Sequence, residues 1–274
     1  MQRIRLRGGD HEKLGEIAVV AEGPAAIALS RGGAPKTYRY RHPNEDAAGF
    51  ALGSGGSLAV VADGHAGRDA ARQAIDHVLD TLAPRWLGAE ATGLEARFSS
   101  EALGDARQLN AFIIRAALGA PRAPNRTTLA VAVVRPGEGW LGYWSVGDSH
   151  VFEVDDEGVR EACAATERVT YLGDPSITPA HLEQAVRCGT RPLQGTRGVV
   201  LATDGLSEAG IGVADPVSTV AAVVAEADAR APDLRPLEIA RSVVARALDA
   251  QRQQRAGDNI AAAVLWLGSP TGDT

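Results

Sequence analysis

Val60-Val61-Ala62-Asp63-Gly64-His65-Ala66-Gly67 combines three signals in eight residues. The apolar run that starts at Leu58 reads as a buried strand ending at Ala62. An acid, a glycine and a histidine stop it, and Gly67 opens a long helical pattern. A carboxylate at a strand end, next to a glycine that exposes backbone, is a place to hold a cation. Whether it does so depends on other segments sending carboxylates to the same point.

Upstream, residues 47–52 are apolar, and Gly53-Ser54-Gly55-Gly56-Ser57 between them and Leu58 predicts a hairpin with a five-residue loop. The loop has neither GxGxxG spacing nor a lysine, so it does not read as a phosphate loop. Residues 16–21 and 25–29 predict two further strands, and the rest of residues 1–40 is weakly patterned. Downstream, residues 68–87 and 94–118 repeat apolar side chains at helical spacing, with Pro84 limiting the first stretch. They predict a helical pair on one side of a sheet. Pro121-Arg122-Ala123-Pro124 ends the second helix.

Residues 127–134, 140–146 and 150–154 are then apolar strands joined by short glycine turns, which predicts a three-stranded antiparallel meander. Residues 155–197 read as a loop-rich flap. A strand over 198–202, helices over 217–225 and 237–248, a strand over 260–267 and a frayed tail over 268–274 complete the chain.

The 274 residues are 45% hydrophobic and 23% charged, which suits one large domain whose core needs no disulfides. Cys163 and Cys188 stand alone without CxxC spacing and read as reduced and structural, as in a cytoplasmic protein. Net charge is −6 with scattered basic residues, so no footprint for nucleic acid is expected. No apolar run approaches a membrane span, and no apolar stretch follows the basic residues 1–7 as it would in a signal peptide. The basic residues are arginine except at Lys13 and Lys36.

Asp63-Gly64, Gly147-Asp148, Asp204-Gly205 and Gly257-Asp258 each adjoin a short apolar strand, and Glu45-Asp46 abuts another. Taken singly, each aspartate–glycine pair is an ordinary turn. Asp148 in particular reads as a structural turn residue inside a hairpin. Taken together, strand ends on one rim would gather several like charges. Such a cluster requires a cation, and oxygen-only ligands select a hard one such as Mg²⁺ or Mn²⁺.

The order of these motifs resembles the metal-dependent protein serine/threonine phosphatases of type 2C, the PPM family. The matching segments are Arg41-His42-Pro43-Asn44-Glu45-Asp46, Asp63-Gly64-His65-Ala66-Gly67, Arg126-Thr127-Thr128-Leu129, Val146-Gly147-Asp148-Ser149, Thr203-Asp204-Gly205-Leu206 and Gly257-Asp258-Asn259-Ile260. The resemblance covers about residues 41–267. It implies an α+β fold in one domain over residues 1–274, a four-layer αββα sandwich whose central antiparallel β-sandwich is flanked by helix pairs. It also implies two Mn²⁺ or Mg²⁺ ions. Asp63 would bridge them, Asp204 and Asp258 would complete the first ion's shell, and the Gly64 carbonyl would bind the second. Glu45 would hold the second ion's waters, with Asp46 beside it. Arg41 would clamp the substrate phosphate, and His65 would be the general acid. The implied reaction is hydrolysis of phosphoserine or phosphothreonine by in-line attack of a metal-bridging hydroxide. The implied partners are phosphorylated proteins, such as a serine/threonine kinase or its targets, met by a cytoplasmic monomer.

The chain departs from the family in places. Residues 119–126 contain no acid where the family often carries one for a third metal, so two ions are expected. Arg126 and Ala66 replace usual glycines, and His150 replaces a frequent arginine. The changes at Ala66 and Arg126 keep open a pseudophosphatase that binds phosphoproteins or a regulator without turnover. A metal-dependent hydrolase of small phosphate esters is a second alternative, which the flap over 155–197 would decide. Of the six histidines only His65 has a motif context, and no histidine spacing suggests zinc.

Overall fold

The structure, a computed structural model, describes residues 1–88, 93–118, 125–163 and 169–268. In chain order the strands are β1 (Gln2–Arg7), β2 (Ala18–Glu22), β3 (Ala25–Ser30), β4 (Ala47–Gly53), β5 (Gly56–Ala62), β6 (Gly64–His65), β7 (Arg126–Thr127), β8 (Leu129–Arg135), β9 (Trp140–Val146), β10 (His150–Asp155), β11 (Val159–Glu161), β12 (Arg187–Pro192), β13 (Thr196–Ala202) and β14 (Ile260–Trp266). The α-helices are α1 (Asp69–His77), α2 (Ala83–Leu87), α3 (Phe98–Ala117), α4 (Pro179–Ala185), α5 (Pro216–Asp228) and α6 (Arg235–Gln254).

Two six-stranded antiparallel sheets stack face to face. One runs β1-β4-β5-β8-β9-β12 and the other β11-β10-β13-β14-β3-β2. Their central strands are apolar on both faces because each face has its own cover. Along β5, Leu58, Val60 and Ala62 pack toward α1–α3, while Ala59 and Val61 face the other sheet. Along β14, Ile260, Ala262 and Val264 pack toward α5 and α6, while Ala261, Ala263 and Leu265 face inward. This period-2 partition is what burial on both faces requires. The result is an α+β sandwich of helices, sheet, sheet and helices, as the motif resemblance implied. Among the described residues no helix is long and apolar enough to cross a membrane.

Several local expectations are revised. The three-stranded meander does not form. β8 and β9 pair within the first sheet, but the turn after Val146 carries the chain across the sandwich, and β10 pairs with β13 in the second. The Gly53–Ser57 hairpin closes through Ser54-Gly55 alone, because Gly53 and Gly56 are already paired. Pro84 does not end the first helix. The Ala83 N–H bonds the Val78 carbonyl five residues back, and this wide turn lets the chain continue past Pro84 to Leu87. The stretch read as a flap holds β11, α4 and the sheet-edge strand β12, and residues 164–168 of it lie outside the described residues. The helix break at 121–124 and the tail beyond Gly268 also lie outside them.

Residues 2–7, left unassigned by the sequence, form edge strand β1. Arg5 and Arg7 turn outward there and bond Asp76 on α1. Both cysteines are free, as expected. Cys163 packs between the sheets and Cys188 on the helix side of the first sheet, so the sheet itself separates them.

Candidate active site

The acid–glycine turns gather at one rim of the sandwich, and the glycines explain how. A Cβ on Gly64 would lie 2.3 Å from the Glu45 carbonyl oxygen, and one on Gly205 would lie 1.8 Å from that of Asn259. Each glycine thus marks the place where the backbone of another acidic turn passes, and its missing side chain lets the two turns touch. Asp63, at the exit of β5, is fixed by its backbone: its carbonyl accepts from the Thr128 N–H at 3.0 Å and from Thr127 Oγ1 at 2.6 Å. Asp204 opens a tight turn after β13, and Asp258 sits just ahead of β14.

A cavity of about 390 Å³ opens between these turns, lined by Asp63, Asp148, Asp204 and Asp258 together with Glu45 and Lys36. Its electrostatics are those of crowded carboxylates. Asp63 is held far above the usual carboxylate range by burial and then by the charges of Asp46 and Asp258. Asp204 is raised likewise, by burial and then by Asp63 and Asp258. Burial followed by Asp258 raises Asp46, and burial raises Asp148.

Asp46 lies behind the cavity and accepts from Thr203 Oγ1 at 2.7 Å. The Glu45 carboxylate is gripped by the backbone N–H groups of Arg41 and His42 at 3.1 and 3.0 Å. Asn259 ties this segment down: its Oδ1 accepts from the Glu45 N–H at 2.8 Å, and its Nδ2 donates to the carbonyls of Arg31 and Pro43, both at 2.9 Å.

The donors are all oxygen, and Asp46 Oδ1 and Asp148 Oδ1 are buried without a hydrogen-bond partner. That donor set suits a hard divalent cation. The carboxylates are not preassembled around one point, however. Among the described residues no three acids, histidines or cysteines stand together as a ready metal cage. A lysine stands among them instead. Lys36 Nζ lies 3.1 Å from Asp258 Oδ1, and the Tyr38 hydroxyl donates to the same oxygen. Burial alone would lower the Lys36 pKa, but Asp258 and Asp46 outweigh it and hold it above its ordinary value.

The structure therefore brings Asp63, Gly64, Asp204, Asp258 and Glu45 to one cavity, with Asp46 behind it. Arg41 is on the rim, where its guanidinium donates to Asn125 Oδ1 at 2.9 Å, and Arg39 rather than Arg41 lines the cavity. His65 is exposed at the mouth, packed at a 30° tilt against Tyr171 with ring centroids 4.9 Å apart, and Arg126 lies 4.5 Å over the same tyrosine ring. Burial and then the Arg126 charge lower the His65 pKa. Tyr171 comes from the stretch read as a flap, tied to β7 by paired backbone bonds between Leu172 and Thr127. That stretch does reach the site.

Asp148 corrects an expectation. The turn that holds it is a crossing between sheets, which aims its carboxylate into the cavity. Lys36, Tyr38, Tyr171 and Asn259 also went unassigned. Asn259 lies within a quoted motif, and Lys36 is one of only two lysines, but neither fact alone assigns a role.

The family model for protein phosphatase 2C matches residues 34–238, well over half of the chain. The chain belongs to the protein phosphatase 2C family. As a member it is a serine/threonine protein phosphatase. No curated protein matches it in sequence. Its fold is similar to that of a serine-threonine phosphatase 2C from Toxoplasma gondii, at TM-score 0.68 and 15% identity over 92% of this chain and 99% of that one. It is also similar to the serine/threonine phosphatase Stp1 from Staphylococcus aureus, at TM-score 0.65 and 16% identity over 91% and 96%. The catalytic domain of the phosphatase PstP, solved with two manganese ions, superposes at TM-score 0.60 and 18% identity over 91% of this chain and 98% of that one.

Proposed function

We propose that this phosphatase hydrolyses phosphoserine and phosphothreonine in proteins with two divalent cations, Mn²⁺ or Mg²⁺, bound at the acidic rim. One observation carries the reading: several carboxylates from separate strand ends share one cavity and drive one another's pKa upward. A cluster so costly to desolvate is kept where a cation is to be held. The two manganese ions in PstP support the same reading.

Asp63, Asp204 and Asp258 would hold the ions with the Gly64 carbonyl, Glu45 in the cavity wall would hold the second ion's waters, and Asp46 would act from behind. Bound ions would neutralise phosphoryl charge and make water acidic enough to serve as nucleophile near neutral pH. Arg41, on the rim, offers a guanidinium fork to the substrate phosphate. His65, at the mouth, is positioned to give a proton to the leaving seryl or threonyl oxygen. Its lowered pKa works against standing protonated in the free protein, and an arriving phosphate dianion would raise it. Tyr171 packs against the His65 ring, and Arg126 covers Tyr171 in turn.

The test is phosphate release from a phosphothreonine peptide with Mn²⁺, with chelator, and with Asp204→Ala. Metal-dependent release that falls by orders of magnitude in the variant is expected. A metal-loaded protein that turns over neither phosphopeptides nor an aryl phosphate would refute the reading. The seat of Lys36 in the cradle is the observation that would then favour a pseudophosphatase.

A further inference from the structure

Lys36 has no role in the reading above, yet its position is among the most constrained at the site. The segment before it is clamped from several sides. The Gly33 N–H donates to Gln251 Oε1 at 2.8 Å, and a Cβ on Gly33 would lie 2.1 Å from the Leu248 carbonyl oxygen on α6. The Gly257 N–H donates to the Pro35 carbonyl at 3.0 Å, and Lys36 pairs in parallel with Gly257 itself. A Cβ on Gly257 would lie only 1.7 Å from the Ala34 carbonyl oxygen. The backbone carrying the lysine is thus locked against the turn carrying Asp258.

The side chain has no freedom to leave by rotation at the surface, because it is 5% exposed. Its ammonium lies 3.1 Å from Asp258 Oδ1 and 5.2 Å from the centre of the Tyr38 ring. Asp258 Oδ1 also accepts from the Tyr38 hydroxyl and from the Asn259 N–H, the latter at 2.7 Å. Three donors therefore converge on one oxygen of a carboxylate that the proposed function assigns to a metal. Asp46 and Asp63 are the other negative groups near the ammonium.

We propose that Lys36 is a resident countercation of the carboxylate cluster, which competes with a divalent ion for Asp258 and keeps the metal-free site folded. The proposal rests on the metal reading above. A like charge near a cation weakens its binding, and a donor on Asp258 Oδ1 must give way before a metal can use that oxygen. The same ammonium relieves carboxylate repulsion when no metal is present. The two effects have opposite signs, and this separates the proposal from a plain packing role. Loss of a packing lysine would lower stability and weaken metal binding together.

The experiment is calorimetric titration of Mn²⁺ at fixed pH and salt, with thermal melting in chelator, on the whole chain as wild type, Lys36→Met, Lys36→Arg and Tyr38→Phe. Lys36→Met is expected to bind Mn²⁺ more tightly, on the order of tenfold, and to melt at lower temperature in chelator. Lys36→Arg, which keeps the charge, should bind close to wild type. Tyr38→Phe removes the second side-chain donor on Asp258 and should also tighten binding, so it carries the test if Lys36→Met does not fold. Unchanged or weaker Mn²⁺ binding by folded Lys36→Met or Tyr38→Phe would overturn the proposal while leaving the metal site intact. If neither wild type nor Lys36→Met takes up Mn²⁺, the metal reading itself fails and this proposal falls with it.

Discussion

Replacing Asn259 by alanine should damage the stability of the rim more than any other single truncation of an uncharged side chain there. The residue is 1% exposed, and its amide makes three hydrogen bonds to backbone, two to the Pro43–Glu45 segment and one to Arg31. Asn259→Ala leaves the Glu45 N–H and the carbonyls of Arg31 and Pro43 without partners. At about 1 kcal/mol net for each bond the loss is about 3 kcal/mol, and stranded buried groups raise it toward about 5. The assay is urea denaturation, read as a lower midpoint at unchanged slope. Asn259→Asp separates hydrogen bonding from volume. It is nearly isosteric and keeps the acceptor, but it loses both donors and adds charge to the acidic cluster. It should therefore be no more stable than Asn259→Ala. A loss below about 1 kcal/mol for alanine, or near-wild-type stability for aspartate, would refute the argument that this amide holds Glu45 and Asp46 in place.

Ala66 has φ 64°, a left-handed conformation that costs a residue with a Cβ about 1 kcal/mol. Ala66→Gly should therefore raise the melting temperature by about 2 °C, and a fall would show the Cβ to be useful where it stands. His77 is half-buried against Phe112, ring centroids 4.9 Å apart, and burial lowers its pKa below 6.5. The folded state thus disfavours its protonation, so its contribution is fully present above pH 6.5 and is lost as pH falls below that value. Denaturant midpoints taken down that range should fall less steeply for His77→Phe than for wild type, and parallel curves would sink the assignment. Tyr171→Ala unstacks both His65 and Arg126 and should cut kcat/KM on a phosphopeptide about tenfold, the worth of one to two such ring contacts. Tyr171→Phe should keep the activity, and equal losses in both variants would point to the hydroxyl instead.

The elements legible in the sequence are those whose neighbours leave a local mark. Strands β5, β8 and β14 are buried on both faces, so they appear as unbroken apolar runs with short turns at their ends. Edge strand β2 is still legible as an apolar run, but edge strands β12 and β1 leave no such mark. β12 is half-exposed along most of its length and reads Arg187-Cys188-Gly189-Thr190-Arg191-Pro192, which looks like loop. Its strand character comes from pairing with β9. β1 alternates arginine with Ile4 and Leu6, but its outward arginines find their partners on α1, seventy residues away. Gly147-Asp148-Ser149 is illegible for another reason. A glycine–aspartate turn between two apolar strands looks the same whether it closes a hairpin or crosses a sandwich. Only the partner of β10, which is β13, distinguishes the two.

That ambiguity bears on the site. Had β10 paired with β9, Asp148 would sit in a hairpin of the first sheet and be no neighbour of Asp204 on the second. Because the chain crosses there, β10 lies beside β13, with His150 opposite Ala202 in register. Asp148 and Asp204 then leave the same rim, two residues beyond each end of that pair. Asp63 and Asp258 reach it from the ends of β5 and β14. The acidic cluster is therefore a product of topology. Each aspartate–glycine pair is locally an ordinary turn that gains a carboxylate neighbour only when distant strands pair, and Asp63 meets Asp204 and Asp258 only when both sheets have closed. A lesion that loosens the stacking of the sheets would thus part Asp63 from Asp204 and Asp258 before it unfolds the strands. Where the sheets are closed, the repulsion must be answered from within the chain or by a bound cation. Thr203 on Asp46 and the Lys36–Tyr38 pair on Asp258 are the chain's own answer.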